Sequence, residues 1–453
     1  MLTHTADYMQ PRSLGDGLVL RWSTANDARD LAAMEGMVFR DKPADPPNAP
    51  LTKLIEELLA GRHPLMDASG FALVEDTRRQ EQRIVAATCL WRQTWEYEGI
   101  PLSMGRPELV ATDPDYRNRG LVRASFDLLH ARSEAEGDSV QAITGIPYFY
   151  RQFGYEYALD LDGRGIVHTA LIPPAKEGES EPYTLRDATP EDLPMVRRLY
   201  DRQRAGSMIS TPIEERWWRY QLQSWRTDET GDSWHIQMVV DAAGTAVGYL
   251  ITSTLRWKKA IPVWQLGVEP HVNLQVVMPP MLRALQAQGQ QMRARLATEP
   301  LSQLAFMFGS THPVYDVLDA LLHFKREPSY AWYVRVPHLP ALIERIAPVL
   351  ERRLVGSPVA SYSGEIKLDF YRGGLRMVFE EGHLVSAGDW RRPAWDANED
   401  GGFPPLVFLQ LLFGYRSLDD LRHAFPDVYV EDRSEVAIKT LFPTKPSWAV
   451  ALG

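Results

Sequence analysis

Short apolar strands and amphipathic helices alternate along the first third of the chain. Strands are predicted at LVLRW, GFALVED, RIVAATCLWRQTW and PELVATD, and helices at DARDLAAMEGMVF and LTKLIEELLAG. A further helix begins at Gly120, with Val122, Phe126 and Leu129 at helical spacing, and a short strand, VQAITGI, follows it. This order predicts a mixed sheet with helices on its faces, which is an α/β arrangement.

Two breaks divide the chain into three segments. PPAKEGESEP (173–182) is rich in proline and charge and indicates a linker, and RVPHLPAL (335–342) ends one strand and starts a helix. The predicted domains are residues 1–172, 183–336 and 337–453, each of ordinary domain size. The third has strands at GEIKLDFYR, LRMVFEE and HLVSAGD followed by helices, which predicts an α+β domain.

The first two segments open in the same way. Four residues recur in the same order and at the same spacing, Leu20, Arg21, Thr24 and Asp27 in the first segment and Leu185, Arg186, Thr189 and Asp192 in the second. Part of this likeness is ordinary capping, because an Asp at a helix start favours the positive end of the helix dipole. The ordered match still suggests that one domain was duplicated.

Composition and charge narrow the class of protein. The 453 residues have a hydrophobic fraction of 45%, a charged fraction of 24% and a net charge of −10, and the acidity disfavours nucleic acid as a partner. It is compatible with a cationic substrate. One cysteine, Cys89, excludes an intrachain disulfide and a cysteine-built zinc site, and the histidines lack metal-ligand spacing. We expect a cytoplasmic protein, because we find no secretory signal and no apolar run of roughly 18 residues.

The segment TDPDYRNRGLVRASFDLLH (112–130) carries the clearest chemistry. Arg117-Asn118-Arg119-Gly120 lies between a strand and a helix. The first N–H groups of a helix are unpaired and carry partial positive charge, so that a phosphate can bind there. Gly120 leaves the backbone accessible, and the arginines can screen the charge. The alternative is an ordinary strand-to-helix turn with a solvated basic rim.

This loop and the later YFYRQFGYEYA (148–158) together resemble the GNAT acetyltransferase superfamily, whose phosphate loop has the pattern Arg/Gln-x-x-Gly-x-Gly/Ala. Val122 departs from the last position of that pattern. The whole layout is similar to the Eis-type (enhanced intracellular survival) branch, in which two GNAT-like domains precede a sterol-carrier-protein-like domain. The second segment has LGVEPHVNLQVVMPPMLRAL in place of the loop, with Glu269 near the phosphate position, so that copy is not expected to bind coenzyme.

The resemblance implies an acetyl-CoA site in the first domain and no metal. The acetyl arm is expected along the strand ELVATD, at Val110, Ala111 and Thr112. The pyrophosphate is expected on the loop amides of Asn118, Arg119, Gly120, Leu121, Val122 and Arg123. The entrance for the arm is expected at the end of the next strand, at Gly145 and Ile146.

The resemblance also implies the catalytic groups. Tyr150 matches the general acid that protonates the coenzyme thiolate, although one more core aromatic is the alternative. Eis-type proteins are thought to use their terminal carboxylate as the base, which makes Gly453 the candidate here. Its carboxylate can mainly orient and attract an ammonium, since a pKa near 3.5 makes it a weak base. Glu108, acting through a water, is the rival base.

The resemblance implies acetyl transfer to primary amines of a small polycation, such as an aminoglycoside or polyamine, or to lysine side chains. It also implies a homo-oligomer, with a hexamer as one form. A different class remains open, namely a regulatory protein that senses acetyl-CoA or carries an apolar ligand in its third domain. Amine-dependent thiol release that is lost in Tyr150→Phe would distinguish the two.

Overall fold

A computed structural model describes residues 7–161, 163–224, 233–294, 299–322, 325–393 and 398–452. Within these ranges the chain forms three mixed sheets with helices packed on them, which confirms the predicted α/β and α+β architecture. The strands are β1 (Arg12–Gly15), β2 (Leu18–Trp22), β3 (Phe71–Asp76), β4 (Ile84–Tyr97), β5 (Ile100–Thr112), β6 (Val140–Ile143), β7 (Glu156–Leu161), β8 (Arg164–His168), β9 (Tyr183–Asp187), β10 (Ile209–Ser210), β11 (Trp234–Asp241), β12 (Ala246–Ser253), β13 (Ala260–Val268), β14 (Gln303–Phe306), β15 (Lys325–Glu327), β16 (Tyr330–Arg335), β17 (Gly364–Asp369), β18 (Gly374–Glu380), β19 (His383–Asp389), β20 (Gly401–Gly402) and β21 (Tyr429–Val430).

The α-helices lie between these strands and at the start and end of the third domain. They are α1 (Ala28–Val38), α2 (Ala49–Leu59), α3 (Leu121–Ala135), α4 (Leu193–Arg204), α5 (Glu215–Ser224), α6 (Leu274–Gln291), α7 (Val314–Leu322), α8 (Leu339–Arg345), α9 (Ala347–Leu354), α10 (Phe408–Leu412), α11 (Leu418–Ala424) and α12 (Asp432–Leu441). Among the described residues, no helix is both long and apolar enough to cross a bilayer.

The first two sheets exchange strands. The first has the order β1-β2-β3-β4-β5-β6-β16-β7, with β10 paired to β4, and the second has the order β15-β8-β14-β13-β12-β11-β9. Strand β8 therefore leaves the first domain for the second sheet, and β16 returns from the second domain to lie between β6 and β7. The sheets thus do not divide at residues 172 and 336, and the domain boundaries stay a prediction.

The duplicated opening adopts the same local structure in both copies. The Arg21 guanidinium donates to both carboxylate oxygens of Asp27 at 2.9 and 2.7 Å, and Arg186 does the same to Asp192 at 2.7 and 2.8 Å. In each copy the threonine three residues before the Asp forms a capping box with it. The shared sequence pattern therefore encodes one supersecondary unit twice.

The third sheet, of order β19-β18-β17-β20-β21, belongs to a C-terminal domain whose core is continuous with that of the first domain. The last residues of the chain leave this domain and pack along Met208 and strand β10. The Met208 N–H donates to the Pro446 carbonyl at 2.8 Å, and the Trp448 N–H donates to the Ile209 carbonyl at 2.7 Å. Trp332 of β16 donates its indole N–H to the Ala449 carbonyl at 3.1 Å. Residues 446–452, called the tail below, thereby run between the first two domains.

Candidate active site

A cavity of about 480 Å³ opens where α3 begins. Its walls come from α1, β5, the start of α3 and the loop after β6, and the lining residues are Val38, Val110, Thr112, Tyr116, Arg117, Asn118, Gly120, Leu121, Val122, Arg123, Ile146, Phe149, Gln152 and Phe153. The phosphate loop, strand β5 and the segment 148–158 therefore meet at this cavity.

The start of α3 has the geometry of an anion site. Gly120 is the N-cap at φ +75°, no side chain caps the helix, and the first intrahelical bond is that of the Ala124 N–H to the Gly120 carbonyl. A Cβ at Gly120 would meet no atom within 4 Å, so the backbone is open on that side. Asn118 also has a positive φ, of 62°. Arg123 is held at the rim by Gln152 at 2.9 Å. The residues present thus fit a pyrophosphate group.

The sheet separates beside this helix. β5 is parallel to β6 but pairs with it through Met104 and Gly105, near the middle of the strand. A bulge follows at Leu109, whose φ is +53°. Beyond Gly105, the edge of β5 that faces away from β4 therefore lies along the gap, where an extended pantetheine arm can hydrogen-bond to strand amides.

Most of the predicted coenzyme residues line the cavity, and three do not. Ala111 is buried and, because side chains alternate along a strand, lies on the face of β5 opposite to Val110 and Thr112. The Arg119 guanidinium turns back to donate to the Asp115 carbonyl at 3.1 Å and lies over the Tyr116 ring. Gly145 lies behind Ile146, and its carbonyl accepts a hydrogen bond from Tyr330. Contact of any of these residues with coenzyme stays a prediction.

Tyr150 lies in an aromatic cluster next to the cavity and is 3% exposed. Its ring centroid is 5.7 Å from that of Phe126, 5.2 Å from Phe149 and 5.4 Å from Tyr333. Burial raises the pKa of its phenol, and the negative charge of Glu108 raises it further. Tyr150 therefore stays protonated at neutral pH and can act as a proton donor.

Glu108 and the tail meet at Arg106, a residue that the sequence did not single out. The Arg106 guanidinium is 2.8 Å from the Glu108 carboxylate through Nε, and Nη1 donates to the Leu452 carbonyl at 2.5 Å. It lies between the rings of Trp91 and Trp332 and is 5% exposed. The tail is therefore joined through Arg106 to the carboxylate that acts on the pKa of Tyr150. Gly453, the predicted base, lies outside the described residues.

Three tyrosines were also missed. Tyr157 of β7 and Tyr330 and Tyr333 of β16 join their hydroxyl groups beside the loop after β6. Arg106 directly precedes the predicted strand PELVATD, so the sequence did not predict that its guanidinium would be buried and would need partners. Tyr330 and Tyr333 gave no signal either, since they lie about 180 residues beyond the loop along the chain.

The second domain lacks this geometry. Its corresponding helix, α6, is capped by the Asn273 side chain, which accepts from the Gln275 N–H at 2.9 Å. Glu269 lies before the cap and is ion-paired with Arg198 at 2.5 Å. The helix end thus carries its own acceptor and a nearby carboxylate, both of which oppose an anion.

Comparison with known proteins agrees with this description. Residues 20–158 match the family model of the acetyltransferase (GNAT) domain. A GCN5-related N-acetyltransferase from Anabaena variabilis matches 95% of this chain and 99% of its own at 13% identity and a TM-score of 0.62. A probable N-acyltransferase from Enterococcus faecalis matches 95% of this chain and 97% of its own at 14% identity and 0.63. Eis1 from Mycobacterium abscessus matches 95% of this chain and 99% of its own, at 14% identity and a TM-score of 0.53.

No curated protein sequence matches the chain. The structural likenesses show a shared fold over nearly the whole chain. The match over residues 20–158 shows a GNAT acetyltransferase domain in the first part of the chain, and such a domain implies an acyl-CoA cosubstrate. Membership of the Eis-type branch stays a prediction.

Proposed function

We propose that the protein transfers the acetyl group of acetyl-CoA to a primary amine. The observation that carries this proposal is an open helix N-terminus and a separated pair of strands around one cavity, with the buried Tyr150 packed against Phe149 of the cavity wall. The amides from Asn118 to Arg123 would bind the pyrophosphate, and β5 would orient the acetyl arm. Bound acetyl-CoA supplies the activated acyl group.

The proposed chemistry moves two protons. The neutral amine attacks the thioester carbonyl carbon, the C–N bond forms, and the C–S bond breaks. The leaving thiolate takes a proton from Tyr150, which is in its phenol form at neutral pH. The amine proton goes to a carboxylate, for which Glu108, through a water, and the terminal carboxylate of Gly453 are the two candidates. The approach of the tail to Arg106 and Glu108 supports either assignment.

The acceptor is proposed to be a cationic amine, because a second cavity beside the tail suits one. This cavity of about 170 Å³ is lined by Asp160, Trp234, Trp264, Met307, Phe308, Gly309 and residues 447–451. Asp160 is the one charged side chain among these lining residues. Burial raises its pKa, and the charge of Arg416 in the third domain opposes that rise. Aromatic faces and a carboxylate attract ammonium groups.

Thiol release from acetyl-CoA, measured over a panel of aminoglycosides, polyamines and lysine peptides, tests the proposal. We expect turnover with at least one amine and a loss of about 10²–10⁴-fold in kcat for Tyr150→Phe. Asp160→Asn is expected to raise KM for a polyamine, with KM for acetyl-CoA unchanged. Binding of acetyl-CoA without release across the panel would favour the sensing role, and no binding would exclude the proposed site.

A further inference from the structure

Strand β16 brings two tyrosine hydroxyls from far along the chain to the back of the acetyl-CoA cavity. It pairs with β6 through Tyr333, opposite Ile143, and with β7 through Tyr330, opposite Leu161. The loop that follows β6 and carries the cavity wall is therefore bordered by a strand that runs directly into the third domain.

The hydroxyls of Tyr157, Tyr330 and Tyr333 form one hydrogen-bonded group, called the tyrosine clamp below. Tyr333 Oη is 2.6 Å from Tyr157 Oη, and Tyr157 Oη is 3.1 Å from Tyr330 Oη. Burial would raise the pKa of Tyr157, but the hydrogen bonds that its oxygen accepts outweigh burial and lower this pKa. Burial and the bonds to Tyr157 raise the pKa values of Tyr330 and Tyr333. Tyr330 donates its single hydroxyl proton to the Gly145 carbonyl, so Tyr157 is the donor in the Tyr157–Tyr330 pair, and Tyr157 accepts from Tyr333.

The clamp binds the backbone of the loop at three successive points. Tyr330 donates to the Gly145 carbonyl at 2.6 Å, and Tyr333 Oη is 3.2 Å from the Ile146 carbonyl oxygen. The Tyr148 N–H donates to Tyr157 Oη at 3.1 Å. A short loop is thereby fixed by side chains rather than by a strand partner, and Ile146 within it lines the cavity.

The loop needs such fixing because its backbone is unfavourable. Gly145 has a φ of +112° and Tyr148 a φ of +62°, and a bulky residue rarely adopts the left-handed region. The Tyr148 side chain is 69% exposed, so little packing compensates for this conformation. Two residues later the same loop carries Tyr150, whose ring contacts that of Tyr333.

We infer that the tyrosine clamp positions residues 145–150 for acetyl-CoA, so that Tyr330 and Tyr333 are positioning residues for cosubstrate binding. This inference rests on the proposed function, because it requires acetyl-CoA to occupy the cavity at the start of α3. Without the clamp, the loop relaxes from its left-handed conformation, and the cavity wall at Ile146 moves. The free protein must then restore that wall on binding, which weakens the affinity.

Calorimetric titration of acetyl-CoA into Tyr330→Phe and Tyr333→Phe tests the inference, since both variants keep the ring and lose only the hydroxyl. We expect Kd and KM for acetyl-CoA to rise by roughly tenfold, the loss expected for one buried hydrogen bond, with kcat at saturation within about twofold. Tyr371→Phe is the matched control. Its hydroxyl also donates to a backbone carbonyl, that of Asp427 in the third domain, and we expect Kd to be unchanged.

A rescue separates positioning from general loss of stability. Tyr148→Gly removes the cost of the positive φ, so that adding it to Tyr330→Phe should return Kd to within about threefold of the unaltered protein. Variants that bind acetyl-CoA as tightly as the unaltered protein would overturn the inference, and so would a tenfold loss that Tyr148→Gly leaves in place. Failure of the unaltered protein to bind acetyl-CoA would instead overturn the proposed function, and the inference with it.

Discussion

Arg106 is the residue whose replacement best tests how the tail is held at the candidate active site. Its guanidinium donates to the Glu108 carboxylate at 2.8 Å, to Gln93 Oε1 at 3.1 Å and to the Leu452 carbonyl at 2.5 Å. Arg106→Met keeps much of the apolar volume between the two tryptophan rings and removes every one of these donors. We therefore expect the tail to open more often and the Glu108 carboxylate to be left unpaired.

The structure gives the size of each effect. Removing one partner of a largely buried ion pair costs about 3–5 kcal/mol, and the 19% exposure of the Glu108 side chain places the cost at the low end. A hydrogen bond from a charged donor contributes about 1.5–3 kcal/mol, so that the tail should open roughly 10 to 150 times more often without it. Adding Glu108→Gln should recover much of the lost stability, because no unpaired charge remains, but it should not close the tail.

Hydrogen–deuterium exchange measures this opening. The amides of Trp448 and Val450 donate to the Ile209 carbonyl and to Thr211 Oγ1, so a peptide covering the tail reports on it. Arg283→Met is the matched control, since Arg283 of α6 forms a two-pronged ion pair with Glu181 of the linker rather than with the tail. Tail exchange in a folded Arg106→Met variant that equals exchange in the unaltered protein would refute the anchoring role.

Two further predictions follow from the backbone and from buried histidines. Gly120→Ala places a side chain at φ +75°, so we expect a stability loss of about 1 kcal/mol and weaker acetyl-CoA binding by calorimetry; unchanged affinity would argue against an anion at this helix start. His63 and His312 have pKa values lowered by burial to about 4, so the folded state takes up fewer protons than the unfolded state below pH 6.5. The free energy of unfolding should therefore fall as the pH drops from 6.5 toward 4, by about 2 kcal/mol per histidine at pH 5, and His312→Gln should reduce the fall in thermal midpoint between pH 7 and pH 5.

Several features could be predicted from the sequence because they depend on neighbours in the chain. The start of α3 follows from Gly120 and the helical spacing after it, and the same segment supplies the loop amides of the cavity. The duplicated opening follows from a short pattern in which an Arg, a Thr and an Asp contact one another within seven residues. Tyr150 was singled out from its motif; the structure buries it against Phe149 of the cavity wall, and its role as the acid stays a prediction.

Other features could not be predicted, because residues far apart in the chain determine them. The break at RVPHLPAL predicted the end of a strand near β16, but no strand was predicted at β8. Which sheet each of these strands joins depends on the packing of two domains around it. The resemblance placed Ala111 on the coenzyme strand, but the sequence could not say which face the bulge at Leu109 would turn toward the cavity. The homo-oligomer, the cytoplasmic location and the amine acceptor stay predictions.

Local sequence thus determined the loop, the helix that follows it and the candidate acid, since hydrogen bonds and steric limits within a few residues are sufficient to specify them. Tertiary structure alone brought Arg106 to the tail and Tyr330 to Gly145. These contacts join residues 346 and 185 positions apart. Closing loops of that length costs chain entropy that only the burial of shared cores offsets, and the pairing therefore exists only when the whole chain is folded.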